Sequence, residues 1–158
     1  MRPVEPDRFR TVMGHFATGV AVVTVDTPDG PQGMTANAVA SLSLDPVLVI
    51  VCFDNDARTL PEVARAKRFG VNVLASDQVH LARRFASKEN MKFADVAHTV
   101  HDGIPVLDGT LAWVGCALDR LVPGGDHTIG IGAVHAAELG ADGREPLVWF
   151  RGGYDSIR

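Results

Sequence analysis

Phe9, Val12, Met13 and Phe16 recur at the i, i+3, i+4, i+7 spacing that marks one face of a helix. Asp7 is placed to cap that helix, and Gly19 to close it in a left-handed turn. The period then changes. Val20 to Val25, rich in Val and Thr, predicts a buried strand. Pro28-Asp29-Gly30-Pro31 is turn chemistry, so a hairpin should return through Gly33 to Ala38. Asp45-Pro46 interrupts the chain before a second apolar strand, Val47 to Phe53. After a loop at Asp54 to Arg58, Thr59 is expected to cap a short helix to Lys67, with Pro61 in its first turn. Phe69 to Leu74 predicts a strand, and Val79, Ala82, Phe85 and Ala86 a further helix beginning near Asp77. Residues 87–108 read as irregular, punctuated by Gly103 and Pro105. Thr110 to Leu118 and Ile129 to Ala136 are expected strands joined through Pro123-Gly124-Gly125-Asp126, and Leu147 to Phe150 closes the sheet. Gly130 and Gly132 point to a bulge or a close backbone approach. This order lacks the strand–helix alternation of a doubly wound fold. A mainly β protein with peripheral helices, built on an antiparallel barrel, is the expectation.

Composition narrows the function classes. The 158 residues fit one domain spanning 1–158, with 46% apolar and 22% charged content ordinary for a globular chain. A formal net charge of −4 supplies no basic face for nucleic acid or anionic lipid. The longest uninterrupted apolar run, Val47 to Phe53, is too short to span a membrane, and the charged first ten residues lack a signal-peptide core. Cys52 and Cys116 sit singly within apolar runs, as reduced buried thiols do. A cytoplasmic protein is expected.

Several catalytic patterns are missing: there is no GxSxG elbow and no GxxxxGK[ST] phosphate loop. Gly130-Ile131-Gly132 lacks the third glycine and following helix of a dinucleotide fingerprint. His98 and His101, flanked by Asp95 and Asp102, form an HxxH pair without a clustered ligand set, so a solvated loop is the plainer reading than a metal site. His127 and His135 share strand parity, but two ligands hold zinc poorly. What remains is small polar groups at strand edges. Thr35, Ala36 and Asn37 lie between two apolar segments, and Ser41 and Ser43 would face one side of an extended strand. Arg58-Thr59 opens a helix, where backbone N–H groups and a guanidinium suit a phosphate.

Taken in order, Phe16-Ala17-Thr18-Gly19-Val20, Gly33-Met34-Thr35-Ala36-Asn37-Ala38, Ser41-Leu42-Ser43-Leu44-Asp45-Pro46 and Phe69-Gly70-Val71-Asn72-Val73-Leu74 resemble the flavin reductase-like family. Arg84-Phe85-Ala86, Lys92-Phe93, Gly125-Asp126-His127, Gly132-Ala133-Val134 and Pro146 to Tyr154 continue the resemblance over nearly the whole chain. It implies a Greek-key split β-barrel of the FMN-binding type, assembled as a homodimer. It also implies an NAD(P)H:flavin oxidoreductase that serves a flavin-dependent monooxygenase, with reduced flavin passing by diffusion. Position by position, it puts Thr35, Ala36 and Asn37 at the isoalloxazine edge and Ser41 and Ser43 near the ribityl chain. Arg58 and Thr59 fall near the phosphate, Asp54 joins the flavin-contacting set, and Arg84 and Phe85 flank the flavin. Asp126 and His127 fall where the family places the nicotinamide, with His127 as the candidate catalytic group. FMN or FAD is the implied flavin, and NADH stands ahead of NADPH because no arginines cluster for a 2′-phosphate. Ala38 departs from a serine frequent in the family. Runner-up readings are a non-catalytic flavin- or haem-binding module and an oxidase resembling the pyridoxamine phosphate oxidases, since fold alone does not decide chemistry.

Overall fold

The computed structural model describes residues 2–140 and 142–157. Its strands are β1 (Thr18–Gly19), β2 (Ala21–Val25), β3 (Gln32–Ala36), β4 (Val39–Leu44), β5 (Val47–Asp54), β6 (Arg68–Val73), β7 (His98–His101), β8 (Ile104–Leu107), β9 (Ala112–Gly124), β10 (His127–Leu139), β11 (Leu147–Phe150) and β12 (Gly153–Ser156). The helices are α1 (Pro6–Met13), α2 (Thr59–Ala66) and α3 (Val79–Ala86), the last entered through a 3-10 turn at Ser76–Gln78.

Seven strands form one antiparallel sheet in the order β3-β2-β6-β9-β10-β5-β4. Its two edge strands, β3 and β4, are separated in sequence only by Asn37 and Ala38. Six interstrand spacings of about 4.8 Å would hold flat edges roughly 29 Å apart. Three Cα steps span at most about 11 Å. The sheet is therefore rolled into a barrel, split between β3 and β4. Cys52 N–H donates to Ala38 O at 2.9 Å, tying the link to β5.

β2 shows why the Val-rich run is buried throughout. Its alternating side chains enter two cores. Ala21, Val23 and Val25 join Val49, Val51, Phe53, Phe69, Val71 and Cys116 in one. The other face of the strand belongs to a second core, where Val20 and Val22 meet Leu74, Leu81, Ala82, Phe85, Leu107 and Leu147. Buried Asn72 links β6 to its neighbours: its Nδ2 donates to Val22 O (3.2 Å) and Thr24 Oγ1 (3.1 Å), and its Oδ1 accepts from Leu107 N–H (2.9 Å). Thr24 Oγ1 in turn donates to Pro105 O at 2.6 Å. The glycines of β10 serve packing. A Cβ on Gly130 would stand 2.7 Å from the Phe53 ring, and one on Gly132 2.6 Å from Phe69 and 2.8 Å from Cys116. A register shift between Ile131 and Gly132 does mark a bulge, but its extra residue is Asp119 on the partner strand β9.

Several local expectations are corrected. α1 is capped at Glu5 rather than Asp7, because Pro6 fixes its first turn, and it ends at Gly14 in right-handed geometry. Gly19 lies in β1 instead of closing the helix. α2 is capped by Arg58, leaving Thr59 as its first helical residue; its end is the left-handed Lys67. β4 carries a bulge: Ser41 pairs with Val49 and Ser43 with Leu48. Adjacent residues of β5 face opposite sides, so Ser41 and Ser43 do as well. The stretch read as irregular holds the β7–β8 hairpin, turned by Asp102 (φ 49°) and Gly103 (φ 74°). Its two ends part the HxxH pair: His98 packs on Phe93 and His101 on Trp113, each with ring centroids 5.0 Å apart. β11 joins β1 and β12 in a separate three-stranded sheet. No described helix is long and apolar enough to cross a membrane.

Candidate active site

A groove of about 660 Å³ opens between β3, the loop from β5 to α2, and the segment after α3. β3 supplies one wall as a sheet edge, so its outward main-chain N–H and C=O groups lack a strand partner. Met34, Thr35 and the ring of Phe85 line this side. Phe85 is packed so closely that a Cβ on Gly33 would lie 3.1 Å from it. Thr35 Oγ1 donates to Ala82 O at 2.6 Å, fastening β3 to α3.

Cations gather where the segment after α3 crosses the start of α2. The Arg58 guanidinium donates to Asn90 Oδ1 and to the carbonyls of Lys88 and Glu89. Lys92 Nζ donates to Phe85 O at 2.8 Å and reaches Gly33 O at 3.5 Å. Burial and then the Arg58 charge hold the Lys92 ammonium below the usual lysine range, with Glu89 pulling the other way. Arg58, Thr59 and the first turn of α2 line the same end, adding the positive pole of a helix start, although Leu60 N–H is spent on Ala57 O and Pro61 has no N–H. Asp54 and Asp56 line the loop side, where Asp56 N–H donates to Asp54 Oδ1 at 2.8 Å.

Beside this loop stands the β9–β10 turn. His127 pairs in register with Asp54 across the β10–β5 ladder, and its Nδ1 lies 2.8 Å from Asp126 Oδ1. That hydrogen bond, with the imidazole charge, holds the exposed Asp126 carboxyl below the ordinary carboxylate range. Asn55 joins turn and loop: its N–H donates to Asp126 O (3.1 Å), its Nδ2 donates to Gly125 O (3.2 Å), and its Oδ1 accepts from Thr128 Oγ1 (2.7 Å).

Of the residues singled out in the sequence, Thr35, Asp54, Arg58, Thr59 and Phe85 meet in the groove. Asp126 and His127 stand at the adjoining turn. Ala36 is buried in the barrel core, Asn37 is exposed in the link to β4, and Ser41 and Ser43 lie on β4, outside the groove lining. Arg84 lies in the last turn of α3, its Nε buried and without a partner among the described residues. Lys92, Asn90 and Asn55 went unassigned. Lys92 was visible only as half of a Lys-Phe pair, and Asn55 belongs to no periodic pattern.

An antiparallel split barrel whose edge strand borders a groove with cations at one end defines a class of flavin-handling proteins. The donors present fit a phosphorylated flavin: an apolar wall at Met34 and Phe85, edge-strand amides, and Arg58 with Lys92 for the phosphate. The flavin reductase like domain model matches residues 13–158, and the chain belongs to that family. It is 38% identical over 153 residues to a flavin reductase of Pseudomonas putida, covering 96% of this chain and 89% of that one. It is 37% identical over 156 residues to the flavin-dependent monooxygenase reductase subunit HsaB of Mycobacterium tuberculosis, covering 98% and 83%. Among solved structures, the NADH:FAD oxidoreductase SgcE6 of Streptomyces globisporus C-1027, in complex with NAD and FAD fragments, superposes with a TM-score of 0.91 at 36% identity, covering 100% and 98%.

Proposed function

We propose that this chain is an NAD(P)H-dependent flavin reductase, using NADH ahead of NADPH to reduce FMN or FAD, and that it supplies reduced flavin to a partner monooxygenase by diffusion. The observation that carries the reading is the juxtaposition of a cation-ended groove along β3 with the Gly125-Asp126-His127 turn. A bound flavin supplies the ring that accepts hydride from the nicotinamide. The chain's part is to bind, orient and exclude water. Edge-strand amides near Thr35, Ala36 and Asn37 face the ring edge as fixed dipoles that need no reorganisation. Arg58, Thr59 and Lys92 take the phosphate end, while Asp54 and Phe85 line the groove and Arg84 stands next to Phe85 on α3. His127 contacts the nicotinamide, oriented by Asp126.

The same reading makes residues 1–158 one domain, acting in the cytoplasm as a homodimer. Exposed apolar residues support the dimer: Phe9, Val12, Met13 and Phe16 around α1, and Leu42, Leu44 and Val47 around the β4–β5 turn. Light scattering should report twice the 16.9 kDa chain mass. The functional test is NADH oxidation with and without added FMN or FAD. Flavin-dependent turnover supports the reading, and its absence with both flavins and both nicotinamides rejects it.

A further inference from the structure

Asn55 spends every polar group except its carbonyl on three residues of one turn. The main-chain N–H and the side-chain Nδ2 hold two successive carbonyls, Asp126 O at 3.1 Å and Gly125 O at 3.2 Å, and Oδ1 takes the Thr128 hydroxyl at 2.7 Å. Gly125 needs φ 74°, so the turn is a tight two-residue reversal between β9 and β10. Asn55 is exposed. An exposed side chain gives up rotamer freedom only where its bonds are satisfied together. On either side of Asn55 stand Asp54 and Asp56, both lining the groove. One residue thus spans the gap between groove and turn.

We infer that Asn55 is a positioning residue: it fixes the Asp126–His127 turn against the groove wall, and so sets where the nicotinamide lies relative to the flavin. The inference rests on the reading of His127 as the nicotinamide contact. Asn55 itself touches neither ring. Without the Asn55 side chain, the hairpin tip keeps its β10–β5 ladder and the main-chain bond to Asp126 O but loses the Gly125 carbonyl anchor and the Thr128 bond. The imidazole then samples positions that meet the nicotinamide less often, which weakens NADH use more than flavin binding.

The test compares Asn55→Ala, His127→Ala and the double variant in the full chain, measuring KM for NADH, kcat, flavin Kd and melting temperature. Losing two directed hydrogen bonds should raise KM for NADH about tenfold in Asn55→Ala. Flavin Kd should stay within about twofold. In the double variant, adding Asn55→Ala to His127→Ala should cause no further rise, because the clamp acts through that imidazole. Thr128→Val, which removes one of the bonds, should give a smaller rise of the same kind and serves if Asn55→Ala does not fold. A raised KM in His127→Ala with none in Asn55→Ala or Thr128→Val overturns the clamp alone. Additive effects in the double variant also overturn it, marking Asn55 as a general structural residue. An unchanged KM in His127→Ala overturns the nicotinamide reading and the clamp with it.

Discussion

Lys92 offers the sharpest test of which end of the groove receives a phosphate. Its ammonium is pinned by Phe85 O at 2.8 Å, and burial, followed by the nearby Arg58 charge, depresses its proton affinity. Two cations held together raise the local potential, and an arriving phosphate dianion relieves it. Opposite charges about 4 Å apart interact by about 4 kcal/mol at an effective dielectric near 20. Lys92 is only half-buried, so water and salt reduce its share to about 1–2 kcal/mol. Lys92→Met keeps most of the stem and removes the charge. FMN should then bind roughly 5- to 30-fold more weakly at low salt, while riboflavin, which has no phosphate, binds as before. The pH dependence follows from the depressed lysine. As pH rises through the lowered Lys92 pKa, the wild type loses this charge and its FMN affinity falls toward that of the variant, whose own profile stays flat over that range. Fluorescence titration with both flavins reads the difference. Equal weakening of FMN and riboflavin, or none for FMN, refutes the assignment.

Three further outcomes test the frame that carries the site. Asn72→Ala leaves Val22 O, Thr24 Oγ1 and Leu107 N–H without their Asn72 partner in a buried core. It should cost about 3–5 kcal/mol by urea unfolding and lower Tm by roughly 10 °C, and a loss below about 1 kcal/mol contradicts the network. Gly132→Ala drives a methyl to within 2.6 Å of Phe69 and should cost about 1–3 kcal/mol by the same measurement; an unchanged midpoint contradicts the packing. Burial pushes the Cys116 thiol up to about 12, so iodoacetamide near neutral pH should leave it unlabelled until the protein is unfolded. Mass spectrometry of the native and denatured protein decides.

The barrel was legible wherever local chemistry and tertiary demand agree. The β2–β3 hairpin could be read from its Pro-Asp-Gly-Pro turn, and it pairs Ala21 to Val25 with Ala36 to Gln32. Long-range pairing was harder to see. β9 runs on past Leu118 to Gly124 because β10 resumes pairing at Arg120 beyond the bulged Asp119, two residues that look like loop in isolation. The Asp102-Gly103 hairpin was hidden inside a polar stretch although its turn dipeptide was present. A bulge cannot be counted from sequence, which is why Ser41 and Ser43 seemed to share a face. For the site, Thr35, Asp54, Arg58, Thr59 and Phe85 could be named from motif order, and the groove gathers them. Asn55 could not, since its partners lie 70 or more residues away and its meaning is purely tertiary.

The proposed function requires hydride to pass directly from a dihydronicotinamide to flavin held along β3. Anaerobic stopped-flow mixing of the flavin-loaded protein with NADH and with NADH deuterated at C4 measures that step in isolation. The flavin's visible absorption should be lost within the protein's turnover time, and deuterium on the transferred face should slow that loss several-fold. Flavin that stays oxidised, or bleaches no faster than without protein, contradicts it.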